Sequence, residues 1–289
     1  MRKLTIGPFL YVLFIALLGA CLWVGWKLAV ALFPWFDVFM RRVVFTLICA
    51  IILRWTYFKK NSMGKASFWW IGVLAAANTI LYTYGIQFTT ASVGQLIYLT
   101  VPLWTLALSP FFLWRRSLSK QQYVGVILSI GWALLFFNEK IWQVAETSLY
   151  WNVVVMAACI CYAWYGIASK YYQKTYSSQE RVLSYAMVSV MIGGVAIPKI
   201  GLENIFREPY IVLGIVLFLG IFSLVSNLTT QKAIEKHGAF IASAVFYIQP
   251  FMGVLLAYFI LGEQVWLVQL MWWVAALGGA YLITRTSYT

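Results

Sequence analysis

The sequence predicts an all-α membrane protein with ten transmembrane helices arranged as two inverted five-helix repeats, and three observations support this fold class. Hydrophobic residues make up 63% of the 289 residues and charged residues 10%, whereas soluble domains carry about 25% charged residues. The apolar residues form continuous runs of the ~20 residues that a helix needs to cross a bilayer. The two halves of the chain also share residues at a constant spacing. This composition excludes a soluble enzyme and a disordered chain.

Each predicted span is an apolar run that ends at charged or turn-forming residues. The runs are continuous, whereas the strands of a membrane barrel alternate apolar and polar residues, so we expect every span to be a helix. In chain order, the ten spans cover approximately residues 7–30, 35–54, 67–87, 91–113, 121–138, 149–169, 181–199, 210–230, 239–261 and 265–284.

The basic residues predict the orientation, because Lys and Arg of short loops stay on the cytoplasmic side. With the amino terminus inside, fifteen of the 21 basic residues lie at the cytoplasmic ends of the spans, and six of the eight acidic residues lie on the outer side. We therefore expect both termini to face the cytoplasm. The net charge of +13 follows the ends of the spans instead of forming one solvent-exposed patch, so no nucleic-acid partner is expected.

The first span has two interpretations. Arg2 and Lys3, an apolar stretch and the small residues before Cys21 are typical of a lipoprotein signal that is cleaved at that cysteine. The apolar run, however, continues past Lys27 to Phe33, which is longer than the roughly 7 to 15 residues of a signal core. We favour a retained helix.

The composition predicts no metal site, no cofactor and no catalytic residue. His237 is the only histidine, and the sequence has no phosphate-binding Gly-Lys-Ser/Thr loop, which excludes ATP hydrolysis by this chain. No His, Cys, Asp or Glu residues cluster at catalytic spacing, so we expect no enzyme. The cysteines all lie in apolar runs, where cysteine behaves as a small buried hydrophobic residue; they are Cys21, Cys49, Cys159 and Cys161.

An internal repeat relates the two halves of the chain. At an offset of 148 residues Pro102 falls on Pro250, and the predicted repeats cover residues 1–143 and 144–289. Five spans in each half is an odd number, so the two halves enter the membrane in opposite senses. Inverted repeats are typical of secondary transporters, in which a site near the midplane is exposed to each side in turn.

Four motifs carry a resemblance to a known family. They are Trp23-Val24-Gly25-Trp26 in the first span, Arg41-Arg42 in the second, TTASVGQLIYLTVP in the fourth and HGAFIASAVFYIQPFMGVLLAYFILGEQ in the ninth. With ten spans in two halves, this pattern resembles the EamA family of the drug/metabolite transporter superfamily, over residues 7–284. The resemblance implies a carrier in the bacterial inner membrane, often an exporter, for amino acids or other small metabolites.

The chain departs from the family pattern at two places. Trp114 and Arg115 stand where Gly-Glu is usual after the fourth helix, and Gln249 precedes Pro250 where many members carry Glu. Any role that these two glutamates have in the family therefore does not carry over to this chain. Since no span contains a carboxylate at mid-depth, proton coupling has no evident residue, and facilitated exchange is at least as well supported.

Polar and aromatic side chains within the spans are the candidate substrate-binding residues, because an unsatisfied polar group in lipid costs several kcal/mol. Each polar residue can instead form a helix–helix hydrogen bond worth about 0.6 kcal/mol, and each aromatic residue can belong to packing or to an interface belt. As a set they favour a polar cavity at the repeat interface. The candidates are Trp23, Lys27, Arg42, Asn78, Tyr82, Gln95, Tyr98, Tyr162, Asn227, Ser243 and Tyr247.

Two cations and two prolines have further expected roles. We expect Arg42 or Lys27 to attract an anionic group of the substrate, since a lone Arg at mid-membrane costs roughly 2.5 to 3.5 kcal/mol; for Lys27 the alternative is snorkelling to the headgroups. Pro102 and Pro250 each remove a backbone donor and are predicted hinges, with a static kink as an equally supported alternative.

The sequence thus predicts a secondary transporter that exports small organic metabolites, amino acids or related compounds, across the cytoplasmic membrane by alternating access. The Trp and Tyr content supports an alternative, an importer or exchanger of a nucleoside-like or cationic metabolite such as S-adenosylmethionine. A non-transporting receptor or scaffold is a third interpretation. The expected partners are a small-molecule substrate and the lipid bilayer, and we expect the chain to act as a monomer.

Overall fold

The computed structural model describes residues 7–32, 35–54, 63–85, 88, 94, 97–111, 120–136, 149–200, 209–261 and 278–283, and every regular element within these ranges is helical. The predicted all-helical class is therefore confirmed. A 3-10 turn at Ser109–Phe111 extends α4, and residues 278–283 are also helical. The α-helices are α1 Gly7–Leu32, α2 Trp35–Arg54, α3 Ala66–Gly85, α4 Val101–Leu108, α5 Lys120–Phe136, α6 Leu149–Tyr171, α7 Ser178–Ile200, α8 Pro209–His237, α9 Ala239–Ser243 and α10 Val245–Leu261.

Two of the predicted spans are divided into helical pieces. In the ninth span Ala244 separates α9 from α10, and in the fourth span Leu99 and Thr100 form a turn before α4 begins. Gly238, with φ of +93°, separates α8 from α9, a conformation that a residue without Cβ adopts most readily. The other described helices before α9 are continuous, and α1 passes through Cys21 without a break.

The start of α7 is encoded by a capping box. The backbone N–H of Glu180 donates to Ser177 Oγ at 3.3 Å, and Glu180 Oε2 accepts the backbone N–H of Ser177 at 2.7 Å. This reciprocal pair of hydrogen bonds satisfies backbone N–H groups that have no partner within the helix at its first turn. The preceding turn is attached to α3, because the hydroxyl groups of Tyr176 and Ser67 are hydrogen bonded at 2.6 Å.

The helices pack mainly across the two halves of the sequence. α3 lies against α6 and α7, and α8 lies against α1 and α2. α4 contacts α6, α10 contacts α1, and α2 contacts α7. When spans one to four are exchanged with spans six to nine, the α2–α7 contact maps onto itself and each of the other contacts becomes another contact of the same set.

The largest buried cluster contains residues of α1, α6, α8, α9 and α10 together with the turn that precedes α4. Within a bilayer, helices associate through van der Waals packing and hydrogen bonds, because lipid tails are as apolar as the side chains. This cluster therefore positions the two divided spans against α1 and α6.

Small residues allow the closest helix contacts. A Cβ on Gly72 of α3 would lie 2.5 Å from Ser184 Oγ and 2.6 Å from the Ser184 carbonyl oxygen on α7. The Ser184 hydroxyl in turn donates to the carbonyl of Phe68. A Cβ on Gly19 of α1 would lie 2.5 Å from Gln249 Oε1 of α10. Glycine at position 72 lets the backbones of α3 and α7 approach as small residues do in membrane helix pairs, and glycine at position 19 leaves room for the side chain of Gln249.

The outside of the helix bundle is apolar. Val195 is 80% exposed, Phe259 76% and Ile127 69%, and such a surface is suited to hydrocarbon rather than to water. Two described segments, Ala66–Gly85 and Tyr150–Tyr171, are each long and apolar enough to cross a membrane, with mean hydropathies of 1.2 and 1.5.

Substitution of Gly72 tests the contact between α3 and α7. We expect Gly72→Leu to lower stability by roughly 1–3 kcal/mol, the usual cost of overpacking, because the added side chain has no room beside Ser184. The measurement is the midpoint of thermal unfolding in detergent. Gly194→Leu is the matched control, since that glycine lies on α7 and a Cβ there would meet nothing within 4 Å. Equal midpoints for the two variants would contradict the close approach.

Candidate functional site

A polar junction at Asn78 joins three parts of the chain inside the helix bundle. Asn78 Nδ2 donates hydrogen bonds to the hydroxyl oxygen of Tyr98 at 2.6 Å and to the carbonyl oxygen of Ala158 at 2.9 Å. Asn78 lies ~18 Å along α3 from Ala66, at 1.5 Å per residue, and Ala158 lies on α6. The junction therefore connects α3, the fourth span and α6 at a depth where lipid offers no alternative partner.

Aromatic rings surround this junction. The ring centroids of Tyr82 and Tyr98 lie 4.8 Å apart, those of Tyr98 and Phe246 lie 5.4 Å apart, and those of Tyr162 and Phe246 lie 4.9 Å apart. The first and third pairs meet edge to face, an arrangement worth about 0.5–1.5 kcal/mol beyond burial. Asn78, Tyr82, Tyr98 and Tyr162, all predicted site residues, are thus brought together.

Phe246 is a member of this group that the sequence analysis did not select. Phe246 follows Tyr98 by 148 residues, the offset that aligns the two halves, and the two rings are in contact. The repeat alignment was therefore the signal that could have identified Phe246. The contact brings together positions of the fourth and ninth spans that this offset aligns.

The divided spans retain their hydrogen bonds through nearby side chains. Thr100 Oγ1 donates to the carbonyl oxygen of Ile97 at 2.6 Å, and Cys159 Sγ approaches the same oxygen at 3.6 Å. In the ninth span Ser243 Oγ donates to the carbonyl oxygen of Phe240 at 2.6 Å. Ser and Thr side chains commonly satisfy the backbone groups that interrupted membrane helices release.

The two prolines occupy different positions in their helices. Pro102 lies in the first turn of α4, where no helical partner for its nitrogen is needed. Pro250 lies inside α10 and removes the donor that would have reached the carbonyl of Phe246. The expected bend of a continuous helix therefore applies to α10 only, and the hinge roles stay predictions.

Three other predicted residues lie elsewhere in the bundle. Asn227 Nδ2 donates to the carbonyl oxygen of Ser223 at 2.9 Å, one turn earlier on α8, so this amide bonds along its own helix. Ser243 is engaged with Phe240 as described above. Tyr247 is fully buried, and its hydroxyl has no hydrogen-bond partner among the described residues. A buried polar atom of this kind marks a position where water or a ligand group would bind.

The remaining four predicted residues lie outside the described part of the structure. Gln95 is not described, and α1 and α2 are described without the side chains of Trp23, Lys27 and Arg42. The expected anionic contacts of Lys27 and Arg42 stay predictions.

A second polar group of residues lies where α6 and α8 end and α7 begins. The sequence analysis missed it. Arg181 is fully buried; its Nη1 donates to the Ser169 carbonyl oxygen at 2.9 Å, and its Nη2 forms an ion pair with Glu235. Lys170 Nζ donates to the backbone carbonyl of Glu235 at 2.6 Å. Arg181 is one of the fifteen basic residues that the sequence analysis placed at the cytoplasmic ends of the spans, and that count gave no indication of its burial. The capping box formed by Ser177 and Glu180 places Arg181 within the first turn of α7.

His237 ends α8 next to this second group. Burial lowers the pKa of His237, and the nearby charges of Lys236 and Lys170 lower it further. Both effects favour the neutral form of the imidazole.

The family comparison and the solved structures agree with this architecture. A sequence model of the EamA-like transporter family matches the chain twice, over residues 5–138 and 149–285. A chain of known crystal structure superposes with a TM-score of 0.73 at 15% identity, covering 96% of this chain and 99% of that one. At this identity the likeness concerns the fold alone.

Curated relatives are similar over part of their length. The uncharacterized transporter YcxC of Bacillus subtilis (strain 168) is 24% identical over 192 residues, which cover 63% of this chain and 60% of that protein. The uncharacterized inner membrane transporter YhbE of Escherichia coli (strain K12) is 23% identical over 191 residues, 63% of this chain and 58% of that protein. The chain thus spans about three fifths of the length of these relatives.

Two tyrosines test the geometry of the site. We expect Tyr98→Phe to cost about 1 kcal/mol, because it removes the hydroxyl that accepts from Asn78. We expect Tyr247→Phe to leave stability unchanged or to raise it, because its buried hydroxyl has no partner among the described residues. The measurement compares the thermal unfolding midpoints of the two variants in detergent without added solutes. The reverse order of the two midpoints would contradict the assigned hydrogen bond.

Proposed function

Because the chain belongs to the EamA-like transporter family, we propose that it is a secondary transporter that moves small organic metabolites across the cytoplasmic membrane by alternating access. We further propose that its substrates are amino acids or related compounds and that it exports them. The relatives are named as transporters, one of them as an inner membrane transporter, and these names support the class of activity and the membrane.

The Asn78 junction is the single observation that carries this proposal. An amide that joins α3, the fourth span and α6, and that is bordered by the rings of Tyr82, Tyr98 and Tyr162, combines polar and apolar groups in the interior of the bundle. Small-molecule sites are mostly apolar with a few placed polar groups that fix orientation. The side chain of Asn78 and the hydroxyl of Tyr98 would exchange their mutual hydrogen bond for bonds to polar groups of the substrate.

We propose that residues 1–143 and 144–289 form two inverted repeats and that their relative movement exposes the site alternately. The family model matches each half separately, and the helix contacts keep their pattern when the spans of the two halves are exchanged. The contact between Tyr98 and Phe246 supports an interface between equivalent parts of the halves. In transporters of this architecture the site lies at such an interface, formed by discontinuous helices.

A second candidate substrate class is favoured by the rings at the site. The ring of Tyr98, whose hydroxyl accepts a hydrogen bond from Asn78, belongs to a set of uncharged aromatic rings in contact with one another: Tyr82, Tyr98, Tyr162 and Phe246. Aromatic faces bind cations and stack on planar rings. A nucleoside-like or cationic metabolite, such as S-adenosylmethionine, would use these contacts, either as an imported or as an exchanged substrate.

Transport and its dependence on Asn78 can be measured together. A thermal-shift screen of a metabolite panel on the purified protein would select ligands, and flux of each would then be measured in proteoliposomes. We expect saturable flux, and we expect Asn78→Leu to reduce it about tenfold or more, since a lost hydrogen bond to substrate is worth roughly 1–2 kcal/mol and 1.4 kcal/mol is tenfold. Competition by quaternary amines would favour the cationic class over the amino acids.

The control for this measurement is Thr229→Val. The Thr229 hydroxyl donates to the Val225 carbonyl of its own helix and is exposed, so we expect flux close to that of the unchanged chain. No saturable flux of any compound in the panel, with both variants folded, would contradict the proposed activity.

The inverted arrangement requires both chain ends on one side of the membrane. We expect a fluorescent-protein fusion at either end to be active and an alkaline-phosphatase fusion at either end to be inactive, because the phosphatase functions only outside the cytoplasm. The excess of basic residues at the cytoplasmic ends of the spans is the physical reason. Phosphatase activity at one end only would contradict the even number of spans and with it the proposed repeat.

A further inference from the structure

We propose that Arg181 and Glu235 form a latch that closes the cytoplasmic end of the second half, and that this ion pair must separate when the central site opens to that side. The inference rests on the proposed transport function. It concerns a part of the molecule remote from the Asn78 junction in sequence and contacts.

The position of Arg181 connects three helices. Its Nη1 donates to the Ser169 carbonyl oxygen of α6 at 2.9 Å, its Nη2 approaches Ser178 Oγ of α7 at 3.4 Å, and the same nitrogen pairs with Glu235 of α8. The guanidinium is fully buried, while Glu235 is 32% exposed. One side chain therefore holds the ends of α6, α7 and α8 together, and its anionic partner lies at the boundary with solvent.

The second connection at this end uses the backbone of the same acidic residue. Lys170, in the last turn of α6, donates to the Glu235 carbonyl oxygen at 2.6 Å. Because the carboxylate of Glu235 pairs with α7 and its carbonyl with α6, movement of the end of α8 would break both contacts at once. Because both contacts involve one residue, the free energy of the closed state rises steeply when the end of α8 moves away.

Unused polar atoms in the same place indicate a second, open arrangement. Among the described residues, Arg181 Nε and Ser169 Oγ are buried and have no hydrogen-bond partner. The same holds for both side-chain polar atoms of Gln231, fully buried one turn before Glu235, and for the hydroxyl of Tyr165 on α6. Such groups are unfavourable while they are closed off from water and are satisfied when water enters. The ion pair opposes this tendency, so the closed and open arrangements differ by the loss of one pair and the hydration of several atoms.

The neighbouring carboxylate provides a matched control. Glu180 and Glu235 are the two acidic residues that the sequence assigns to the cytoplasmic side. Glu180 accepts the backbone N–H and the hydroxyl of Ser177, at 2.7 and 2.9 Å, and so caps α7. These two hydrogen bonds lie within a single turn, whereas the ion pair of Glu235 joins two helices. Glu180→Gln removes the charge but keeps a capping-box residue at the start of α7, and it leaves both partners of the ion pair between helices in place.

Cysteine labelling measures opening of this end without a known substrate. Ser169→Cys introduces a thiol at a fully buried position whose hydroxyl makes no described hydrogen bond. Inside-out membrane vesicles would be treated with a membrane-impermeant sulfonated maleimide, and modification at position 169 would be followed by peptide mass spectrometry. We expect Glu235→Gln to accelerate labelling about tenfold, which corresponds to about 1.4 kcal/mol in the opening equilibrium. Glu180→Gln should leave the rate within about twofold of the starting protein.

Three outcomes would overturn the latch. They are an unchanged labelling rate in a folded Glu235→Gln protein, an equal acceleration by Glu180→Gln, and labelling from the outer side only. Size-exclusion chromatography in detergent would verify folding. If Glu235→Gln does not fold, Glu235→Asp shortens the side chain and keeps its charge; it should give an intermediate rate, and an unchanged rate would again overturn the latch.

Labelling and flux separate this inference from the proposed function. Accelerated labelling supports the latch whatever the flux of the variants is, because the reagent reports opening alone. Absence of saturable flux for every tested metabolite contradicts the transport function. Saturable flux with unchanged labelling contradicts the latch and leaves the transport function in place.

Discussion

The structure depends on one constraint: within hydrocarbon, every backbone donor and acceptor has to find its partner inside the protein. The fourth and ninth spans are interrupted, yet the carbonyls near their breaks accept bonds from Thr100 and Ser243. The breaks border the largest buried cluster, in which the pieces of both spans pack with α1 and α6. Interruption is thus possible because neighbouring side chains and helices take over the role that water has in a soluble protein.

The breaks also determine where the site can form. A span that is divided into short pieces can direct side chains toward a neighbour from more than one angle, and Tyr98 and Phe246 meet beside the Asn78 amide. In its described part this junction contains amide, hydroxyl and aromatic groups without a formal charge. A group of residues without ions of its own avoids the cost of desolvating them, and the described part of this junction offers hydrogen bonds and ring contacts.

The sequence predicted the helical class and most helix bounds, because charges interrupt the apolar runs where the helices end, as at Arg54 and Lys120. It also selected Asn78 and Tyr98, since an amide and a hydroxyl inside long apolar runs need partners. It could not predict the turn at Ala244, which depends on tertiary packing around α9. Burial of Arg181 was likewise hidden, because a count of loop charges carries no information about which cations fold back among helices.

The position of the Arg181–Glu235 ion pair at the ends of its helices has a physical reason. A transporter needs two conformations of comparable free energy, and an ion pair discriminates between them strongly because its attraction depends on distance. At mid-membrane the separated ions would have no alternative partner, and breaking a buried pair there would trap the protein in one state. At the ends of α6, α7 and α8 the carboxylate of Glu235 is partly exposed, so water can take the place of its partner. A charged pair can therefore control opening at this end, whereas uncharged Asn78 and its ring neighbours are suited to the interior, where contacts have to rearrange without leaving an ion behind.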